Sequence, residues 1–451
     1  MKNVSSRMWL LFVVIAFVIL RLPSALTADG SLCAKGLGQQ ANRGGPDILL
    51  QGFTWNSAVN GQKYVWYRTL ESKAEDLAQA GVTHVWFPPP ARSVSPQGYM
   101  PGDYYDLGSG DALGDNRTLY GNEAELKRCV ATFKRFGIQS LADIVVNHRC
   151  ASHQENGVWN IFHSPSGKAL WEKWAVARGD YNGTGQPDTG ADFAAAPDLD
   201  HTNPKVRQDI VDWLLWLKGT IGFDGWRFDY VKGYGAQFVG EYIGKSQPAY
   251  AVGEYWTSMD YTSAGEMLPD QNAHRQRLCD WVNGTGDRAA AFDFTTKGLL
   301  QEACRRNQYW RLKDNKGKAA GMIGWWPEKS VTFIDNHDTG SSQNHWPFPG
   351  DRVLAGYAYI LTHPGTPSIF WDHLYAWGQD THDRIKKMAQ LRGDMRIHRG
   401  SSLNIITADN SRYVACVDGK LTLVLGDTGP GPGTGWTQRL SGPGYSIWIK
   451  N

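Results

Sequence analysis

Short apolar runs rich in β-branched and aromatic residues recur along the chain and alternate with amphipathic stretches. The runs predict eight strands, at Ile48–Trp55, His84–Pro88, Ser140–Asn147, Gly225–Val231, Tyr250–Trp256, Ala290–Thr295, Ser330–Asp338 and Pro367–Trp371. The intervening stretches predict helices such as Tyr67–Ala80, Asn122–Phe136, Lys205–Lys218 and Lys297–Arg306. Strands that alternate with helices indicate a parallel sheet, and eight such strands indicate closure into a (β/α)₈ barrel, the TIM barrel fold.

The third connection of this predicted barrel is unusually long. Residues 147–201 are rich in Gly, Pro, Asn and Asp and follow the carboxyl end of a strand, which is the face where barrel enzymes carry out their chemistry. A loop of that length is usually functional or forms a small domain. We therefore predict a barrel over residues 29–146 and 202–390, interrupted by an inserted loop domain.

After about residue 391 the pattern changes to short β-type segments separated by Gly and Pro. The segments Leu403–Thr407, Tyr413–Val417, Leu421–Leu425 and Tyr445–Lys450 predict an antiparallel β-sheet domain over residues 391–451, with Gly429–Gly435 as a loop.

The first 28 residues are typical of a secretory signal peptide. Lys2 and Arg7 precede an apolar run over Met8–Leu20, which is too short for a membrane span of about 20 residues. Small residues at Ala25 and Ala28 suit cleavage. We expect a secreted protein with no membrane attachment after cleavage; an uncleaved anchor is the alternative.

Charge and composition exclude some classes of function. Lys plus Arg total 46 and Asp plus Glu total 44, without a basic stripe, so nothing indicates nucleic-acid binding. The six cysteines contain no CxxC pair, which argues against a zinc site. The 20 Trp and 19 Tyr suit a sugar-binding surface, although a large core would also use them.

Three acidic residues stand at the carboxyl ends of three predicted strands: Asp229, Glu254 and Asp338. Hydrolysis of a glycosidic bond needs one carboxyl group to donate a proton and another to attack or to activate water. Each carboxylate alone is more often a strand-end cap or an ion-pair partner. Three on three strand ends favour an active site.

The neighbours of these residues suggest separate roles. Arg227 and Asp229 share one face of their strand, so the guanidinium would hold Asp229 ionised as a nucleophile requires. Glu254 precedes Tyr255 and Trp256, whose rings would supply an apolar wall suited to a general acid.

Oxygen ligands converge where the long loop leaves its strand. Asn147 offers a carbonyl oxygen there, and the loop supplies Asp188, Asp192 and Asp198. Several hard oxygen ligands on a flexible loop suit Ca²⁺. The alternative is that these Asp and Asn residues only form turns.

The segments DIVVNH, GWRFDYVK, GEYW and FIDNHD, in this order, resemble the α-amylase superfamily of glycoside hydrolases, and within it the plant α-amylases. Further segments such as QGFTW, GVTHVWFPPP, DTGADFAAAPDLDH and GWWPEK extend the resemblance over nearly the whole mature chain. The resemblance implies endo-hydrolysis of α-1,4 bonds in starch and malto-oligosaccharides with net retention, by a monomer that holds at least one Ca²⁺.

The resemblance also implies roles for individual residues. Asp229 would be the nucleophile, Glu254 the acid and base, and Asp338 the residue that stabilises the oxocarbenium-like transition state. Retention then predicts carboxyl groups of Asp229 and Glu254 about 5–5.5 Å apart. The residues that would contact the sugar are Tyr99, His148, Arg227, Lys232 and His337.

For calcium, the resemblance implies side-chain ligands from Asn147, Asp188 and Asp198 and backbone carbonyl ligands from Ala196 and Gly233. Asp192 would serve a second ion. The stretch IFHSPSGKALWEKW departs from the plant pattern, with His163 where an acidic ligand is expected, so we expect one calcium ion rather than a full set of three.

Two noncatalytic sugar sites are implied as well. Trp325 and Trp326 would form a surface platform if both rings are exposed, and Tyr413 would bind sugar on the C-terminal sheet. The alternative for all three is packing.

Three other functions remain open at this point. An exo-acting α-glucosidase-like relative would use the same carboxylates, and cleft shape would decide. An inactive starch-binding protein would need a broken catalytic set, which this chain does not have. A membrane-anchored transport subunit would need a longer apolar segment.

Overall fold

Eight parallel strands form a closed barrel in the computed structural model, which describes residues 47–108 and 118–451. The strands are Leu49–Gln51, His84–Trp86, Gln139–Ile144, Gly225–Phe228, Tyr250–Gly253, Ala290–Phe292, Ser330–Phe333 and Thr366–Phe370. Each strand pairs with the next along the chain, and the first closes the ring against the eighth, where Leu50 lies opposite Ile369. The predicted barrel is confirmed.

The predicted strands extend too far at their carboxyl ends. The seventh was expected to reach Asp338 and ends at Phe333. Beyond it the Asn336 side chain accepts hydrogen bonds from the backbone N–H groups of Asp338 and Thr339, so the chain turns instead of continuing the ladder. The residues that carry the candidate chemistry therefore lie just outside the strands.

Helices cover the outside of the barrel. They span Trp66–Glu71, Ala74–Ala80, Glu123–Arg135, Pro204–Trp216, Ala236–Ser246, Asn272–Gly284, Phe294–Arg306, Val353–Thr362, Trp371–Tyr375 and Gln379–Asp394. The predicted helix Tyr67–Ala80 is two helices, separated at Ser72–Lys73. The helix Glu123–Arg135 begins at a capping box, in which Asn122 and Glu125 each accept the other's backbone N–H.

The inserted region contains little regular structure and packs around a buried arginine. Its elements are a hairpin of His153–Glu155 and Val158–Ile161 and a short 3₁₀ helix at Lys173–Ala175. The Arg149 guanidinium lies over the rings of Tyr104, Phe162 and Trp171 and donates to the Gly102 carbonyl. Ring faces and carbonyl oxygens thus stabilise a charge that water does not reach.

The C-terminal region forms a five-stranded antiparallel sheet. Its strands are Leu403–Ala408, Arg412–Val417, Leu421–Gly426, Trp436–Gly442 and Tyr445–Lys450, with the last two exchanged in spatial order. Four of them were predicted. The strand Trp436–Gly442 was missed because it lies at the sheet edge with exposed polar side chains and lacks apolar alternation.

Tyr413 belongs to the core, so its predicted role in sugar binding is wrong. The side chain is 0% exposed, and its hydroxyl lies 2.9 Å from Nε2 of His363. The His363 ring stacks on Tyr359 of the helix Val353–Thr362. This contact joins the sheet to the barrel, and no face of Tyr413 is open to a ligand.

Three further expectations concern membrane attachment, the cysteines and the N-terminal segment. No helix within the described ranges is long and apolar enough to cross a membrane. No disulfide joins the five cysteines at positions 129, 150, 279, 304 and 416. The predicted signal peptide and Cys33 lie outside the described residues.

The buried His363 predicts a pH-dependent stability. Burial lowers the pKa of His363 to about 3, against about 6.5 in an unfolded chain. Only the unfolded state then gains a proton between these values, so His363 lowers the free energy of unfolding as the pH falls from 6.5 toward 3. His363→Gln keeps a hydrogen-bonding group and should remove about 1.4 kcal/mol per pH unit from this slope.

Urea unfolding of both proteins at about pH 6 and about pH 4.5 measures the difference. The pH-independent effect of the substitution on the free energy of unfolding cancels when the two pH values are compared. Equal slopes would show that His363 is not buried as a neutral ring.

Candidate active site

Acidic residues from different strands meet at the carboxyl end of the barrel. Asp143 lies in the third strand, Asp229 and Glu254 directly follow the fourth and fifth, and Asp338 lies in the turn beyond the seventh. All of them contact or surround Arg227, a fully buried residue of the fourth strand. The closed parallel barrel brings these positions together because all its strands end at one face.

The Arg227 guanidinium bridges three carboxyl groups. Its Nη1 lies 2.7 Å from Asp229 Oδ1 and 2.9 Å from Asp143 Oδ1, and its Nη2 lies 2.8 Å from Glu254 Oε2. The guanidinium carbon is 4.5 Å from the centroid of the Trp86 ring, which covers one face of the charge. One cation thus fixes the positions of three acidic side chains, and both Arg227 and Asp143 are fully buried.

Three carboxyl groups exceed the charge of one guanidinium. Burial raises the pKa of Asp143 to about 6 and that of Asp229 well above its usual range, although Arg227 opposes both rises. The expectation that Arg227 would simply hold Asp229 ionised is therefore too simple, because desolvation works against it. The cluster favours retention of a proton at neutral pH.

Glu254 and Asp338 also lie within hydrogen-bonding reach of each other. Oε1 of Glu254 is buried and receives no N–H or O–H from another residue. Two carboxyl groups form a hydrogen bond only when one of them carries a proton. A proton on either group would therefore join the two carboxyl groups by a hydrogen bond.

The two aromatic residues that follow Glu254 both stack on other rings. The Tyr255 ring stacks on Trp281, and the Trp256 ring stacks on Phe294. Glu254 instead lies in an ionic environment set by Arg227. On an extended backbone Tyr255 points to the face opposite Glu254, whereas the direction of Trp256 is fixed by its stacking on Phe294.

His337 is neutral and has a defined tautomer. Burial and the nearby Arg227 lower its pKa to about 3. The Gln51 amide nitrogen lies 2.8 Å from Nδ1, which assigns the ring proton to Nε2, 3.4 Å from Asp338 Oδ2. The other oxygen of Asp338 accepts a hydrogen bond from Gln343 Nε2 at 2.5 Å.

A stack of flat rings lines the site. Tyr99 lies parallel to His337 at 5.1 Å and to Trp55 at 6.0 Å, measured between ring centroids. The Tyr99 hydroxyl donates to Asp143 Oδ2 at 2.8 Å, which fixes the ring. Tyr99 and Trp55 are partly exposed, so this stack offers a flat apolar surface beside the carboxyl groups.

Two further predicted sugar contacts lie at the edge of the site. The His148 ring is buried, with Nε2 2.9 Å from the Tyr99 carbonyl and one face stacked on Phe193 at 3.7 Å. Lys232 is half-buried, with Nζ 4.9 Å from the Tyr230 ring centroid. Lys232 is accessible in this arrangement, whereas His148 is covered.

The backbone after Asp229 has an uncommon conformation. Tyr230 has φ of 46°, in the left-handed region that a residue with a bulky side chain rarely adopts. Its backbone N–H points toward Glu254 Oε2 at 3.4 Å. Strain of this kind persists only where surrounding contacts enforce it, and here it turns the chain directly after the candidate nucleophile.

A second acidic cluster lies where the inserted region meets the barrel. Ligand atoms of Asp188, Asp192 and Asp198 all lie within 4.8 Å of one another. Oδ1 of Asn147 and Oδ2 of Asp188 are buried without a hydrogen-bond donor. Burial raises the pKa of Asp198 to about 7, and Asp188 adds to the rise. Orphaned oxygens among repelling carboxylates fit a divalent cation.

Gly233 and Ala196 border this cluster. A Cβ atom on Gly233 would lie 2.0 Å from Asn147 Oδ1, so only glycine fits against the loop root. Ala196 is buried and lies two residues before Asp198 in the sequence. Asp180, which was not predicted, accepts the Asp198 backbone N–H at 2.7 Å and brings a further carboxylate to the cluster.

The predicted surface platform of adjacent tryptophans is not formed. Trp326 is 8% exposed and packs inside. The Arg275 guanidinium carbon lies 3.5 Å from the Trp325 ring centroid and covers that face. The sequence could not show this, because a Trp pair looks the same whether it packs or projects.

Sequence reasoning missed three residues that position the candidate chemistry. Asp143 lies inside the third barrel strand and is fully buried, and a buried Asp at such a position indicates a charged partner. Gln51 ends the first strand and orients His337. Gln343 lies in an irregular loop and carried no sequence signal.

The matching family models support this geometry. The model described as "Alpha amylase, catalytic domain" matches residues 68–371, and the model described as "Alpha-amylase C-terminal beta-sheet domain" matches residues 394–449. Together they cover the second to eighth strands of the barrel, the insertion and the C-terminal sheet up to residue 449.

Curated relatives and solved structures agree. The chain is 45% identical over 410 residues to chloroplastic alpha-amylase 3 of Arabidopsis thaliana, covering 90% of this chain and 44% of that protein. It is 44% identical to probable alpha-amylase 2 of the same plant, covering 90% of this chain and 95% of that protein. A solved Anoxybacillus α-amylase has a TM-score of 0.63 at 16% identity, covering 91% of this chain and 99% of that one, which supports the fold.

The bridging guanidinium predicts a large effect on stability. Arg227→Met should lower the free energy of unfolding by about 3–5 kcal/mol, because it leaves buried carboxylates without their cation. Adding Asp143→Asn removes one of these charges and should recover part of the loss. Urea unfolding of both variants at neutral pH measures this, and wild-type stability in Arg227→Met would show that the carboxyl groups do not depend on Arg227.

Proposed function

This chain belongs to the α-amylase family of glycoside hydrolases, and we propose that it is an α-amylase that hydrolyses internal α-1,4 bonds of starch with net retention. The observation that carries the proposal is the Arg227 guanidinium between Asp229 and Glu254, with Asp338 within reach of Glu254. One carboxylate can attack while the other donates a proton, as retaining hydrolysis requires.

The first step breaks the glycosidic bond. Glu254 donates its proton to the glycosidic oxygen, and Asp229 attacks the anomeric carbon to form a glycosyl ester. In the second step Glu254 removes a proton from water, water attacks the same carbon, and Asp229 leaves as a carboxylate. Two inversions at one carbon give retention, and the enzyme regains its starting protonation.

Positive charge develops on the sugar ring in the transition state of each step. Once Glu254 has given up its proton, Asp338 no longer shares it, and its carboxylate faces the ring cation. Arg227 stays buried against Asp143 and Asp229 throughout, so the nucleophile keeps its orientation in both steps.

The remaining residues hold the substrate. The neutral His337 presents Nε2–H to a sugar hydroxyl, and the stack of Tyr99 and Trp55 offers a face for the apolar side of a pyranose. Lys232 donates from the opposite side. For His148 we propose a sugar contact after Phe193 moves off its ring.

We further propose that the acidic cluster binds Ca²⁺. Asn147, Asp188 and Asp198 would supply side-chain oxygens, Ala196 and Gly233 carbonyl oxygens, and Asp192 a ligand to a second ion. Ca²⁺ would neutralise the loop carboxylates and hold the inserted region against the segment that follows Asp229. Its contribution is structural, since the proton transfers described above use side chains of the protein alone.

Secretion remains part of the proposal. The signal-like pattern of residues 1–28 supports it, whereas one relative carries a chloroplastic name. Residues 1–46 fused to a fluorescent protein would separate the two destinations in plant cells. N-terminal sequencing of the mature protein would give the cleavage site.

The catalytic assignment predicts different behaviour for two variants. Asp229→Asn should lose at least about 10⁴-fold of activity on every substrate, because no covalent ester forms. Glu254→Gln should lose similar activity on starch but far less on an aryl maltoside, whose leaving group needs no proton. Asp380→Asn, an exposed carboxylate on an outer helix, is the control and should keep wild-type rates.

Iodine colour and reducing ends, followed together on soluble starch, separate endo from exo action. Rapid loss of colour with few reducing ends supports internal cleavage, and loss in step with sugar release supports the exo-acting alternative. Proton NMR of the first products should show the α-anomer. Initial β-anomer would exclude retention.

The calcium proposal predicts stabilisation that depends on Asp198. Ca²⁺ at about 100 times its Kd should raise the free energy of unfolding of the wild type by about 2.7 kcal/mol. Asp198→Asn should lose most of this gain, while Asp427→Asn, on an exposed loop of the C-terminal sheet, should keep it. Calorimetry with and without EDTA measures the effect, and an equal gain in both variants would place the ion elsewhere.

A further inference from the structure

Lys297 is a fully buried lysine on the helix Phe294–Arg306. Its Nζ donates to the Trp346 carbonyl at 2.5 Å and to the Gln301 side chain, and lies 3.6 Å from Asp335 Oδ1. The ammonium also lies 4.4 Å from the centroid of the Trp346 ring. A buried ammonium is costly unless it is paired and hydrogen-bonded, and here it is both.

The two partners of Lys297 stand on either side of Asp338 in the sequence. Asp335 Oδ1 accepts from the Thr339 hydroxyl at 2.9 Å and lies 3.2 Å from the Phe348 backbone N–H. Trp346 in turn donates its backbone N–H to the Thr339 carbonyl at 3.1 Å. One ammonium therefore contacts both ends of the segment 335–346.

That segment carries the residues that meet Glu254 and the sugar. It contains His337, Asp338 and Gln343, and the backbone N–H of His345 donates to the Asp338 carbonyl at 3.1 Å. The segment has no helix or strand of its own, so its shape depends on side-chain contacts.

Packing beside Lys297 reinforces the contact. A Cβ on Gly298 would lie 2.8 Å from the Trp346 ring and 2.9 Å from the Met259 side chain, so the glycine lets the indole lie directly on the helix. Trp346 also packs against the cluster of Met259, Met267 and Leu299. The helix thus holds Trp346 through both its ring and its carbonyl.

We propose that Lys297 is a positioning residue whose ammonium clamps Asp335 and Trp346 and thereby holds Asp338 and His337 in register with Glu254. The inference rests on the proposed function, since it assigns Asp338 a role in that reaction. A neutral apolar side chain of similar length would fill the space without fixing either end of the segment.

Lys297→Met is the direct test, because methionine keeps the chain length and removes the charge and the donors. We expect kcat on maltoheptaose to fall by about 10–100-fold with KM within about 3-fold, because a small displacement of reacting groups costs rate more than binding. Asp335→Asn removes the charge from the other partner and should lower kcat in the same way, which keeps the test open if Lys297→Met does not fold.

Lys329→Met is the matched control. Lys329 is a partly buried lysine that also donates to a backbone carbonyl, that of Asp287, but it lies just before the amino end of the strand that leads to Asp338. Its loss should lower the free energy of unfolding without changing kcat. Urea unfolding of each variant shows whether the assays contain folded protein.

The outcomes separate the two proposals. A fall in kcat confined to Lys297→Met and Asp335→Asn supports the clamp. Unchanged kcat in either folded variant, or an equal fall in Lys329→Met, overturns it. A wild type that hydrolyses no α-glucan overturns the proposed function itself.

Discussion

The rest of the site depends on one buried guanidinium, which contacts several carboxyl groups inside the barrel. Arg227 contacts Asp143, Asp229 and Glu254, which belong to three neighbouring strands or their ends. Such a cluster is costly to bury, and it forms only because ring closure brings those strands to one face. The excess of negative charge has a chemical consequence, because burial raises the pKa of Asp143 and of Asp229 even though Arg227 opposes the rise. Structure and reactivity here have the same electrostatic origin.

The inserted region also places charged groups in buried positions, in two other ways. Arg149 is buried without a carboxylate contact among its hydrogen bonds and relies on carbonyl oxygens and aromatic faces. The Asp188, Asp192 and Asp198 cluster has the opposite imbalance, with negative charge and orphaned oxygens that suit a cation from solution. The barrel therefore carries a counter-charge within the chain, whereas the loop cluster has none among the residues that form it. This difference makes the loop the part of the protein whose order would follow ionic conditions.

Much of the fold could be predicted from the sequence because barrel strands have a strong local signal. Apolar runs of β-branched residues placed all eight strands, and acidic residues at their ends placed Asp229, Glu254 and Asp338. Strand ends were misjudged because the turn at Asn336 depends on a side-chain hydrogen bond rather than on hydropathy. The positions of aromatic side chains were the hardest to predict. Tyr413 and Trp326 are buried and Tyr255 stacks on Trp281, because the orientation of an aromatic side chain depends on packing between distant segments. Lys297 was predicted only as part of a helix, since its partners are far along the chain.

The close approach of Gly233 to Asn147 has a consequence for how this protein can change through evolution. A side chain at position 233 has no room, because its β-carbon would lie 2.0 Å from Asn147 Oδ1. Insertions and exchanges are usually tolerated on loops, and most of residues 147–201 are free to vary in that sense. At position 233 the loop and the barrel lie in close contact, and a β-carbon on Gly190 of the loop would likewise lie 2.3 Å from the Gly233 backbone carbon. A lineage could therefore remodel the insertion extensively while position 233 stayed glycine.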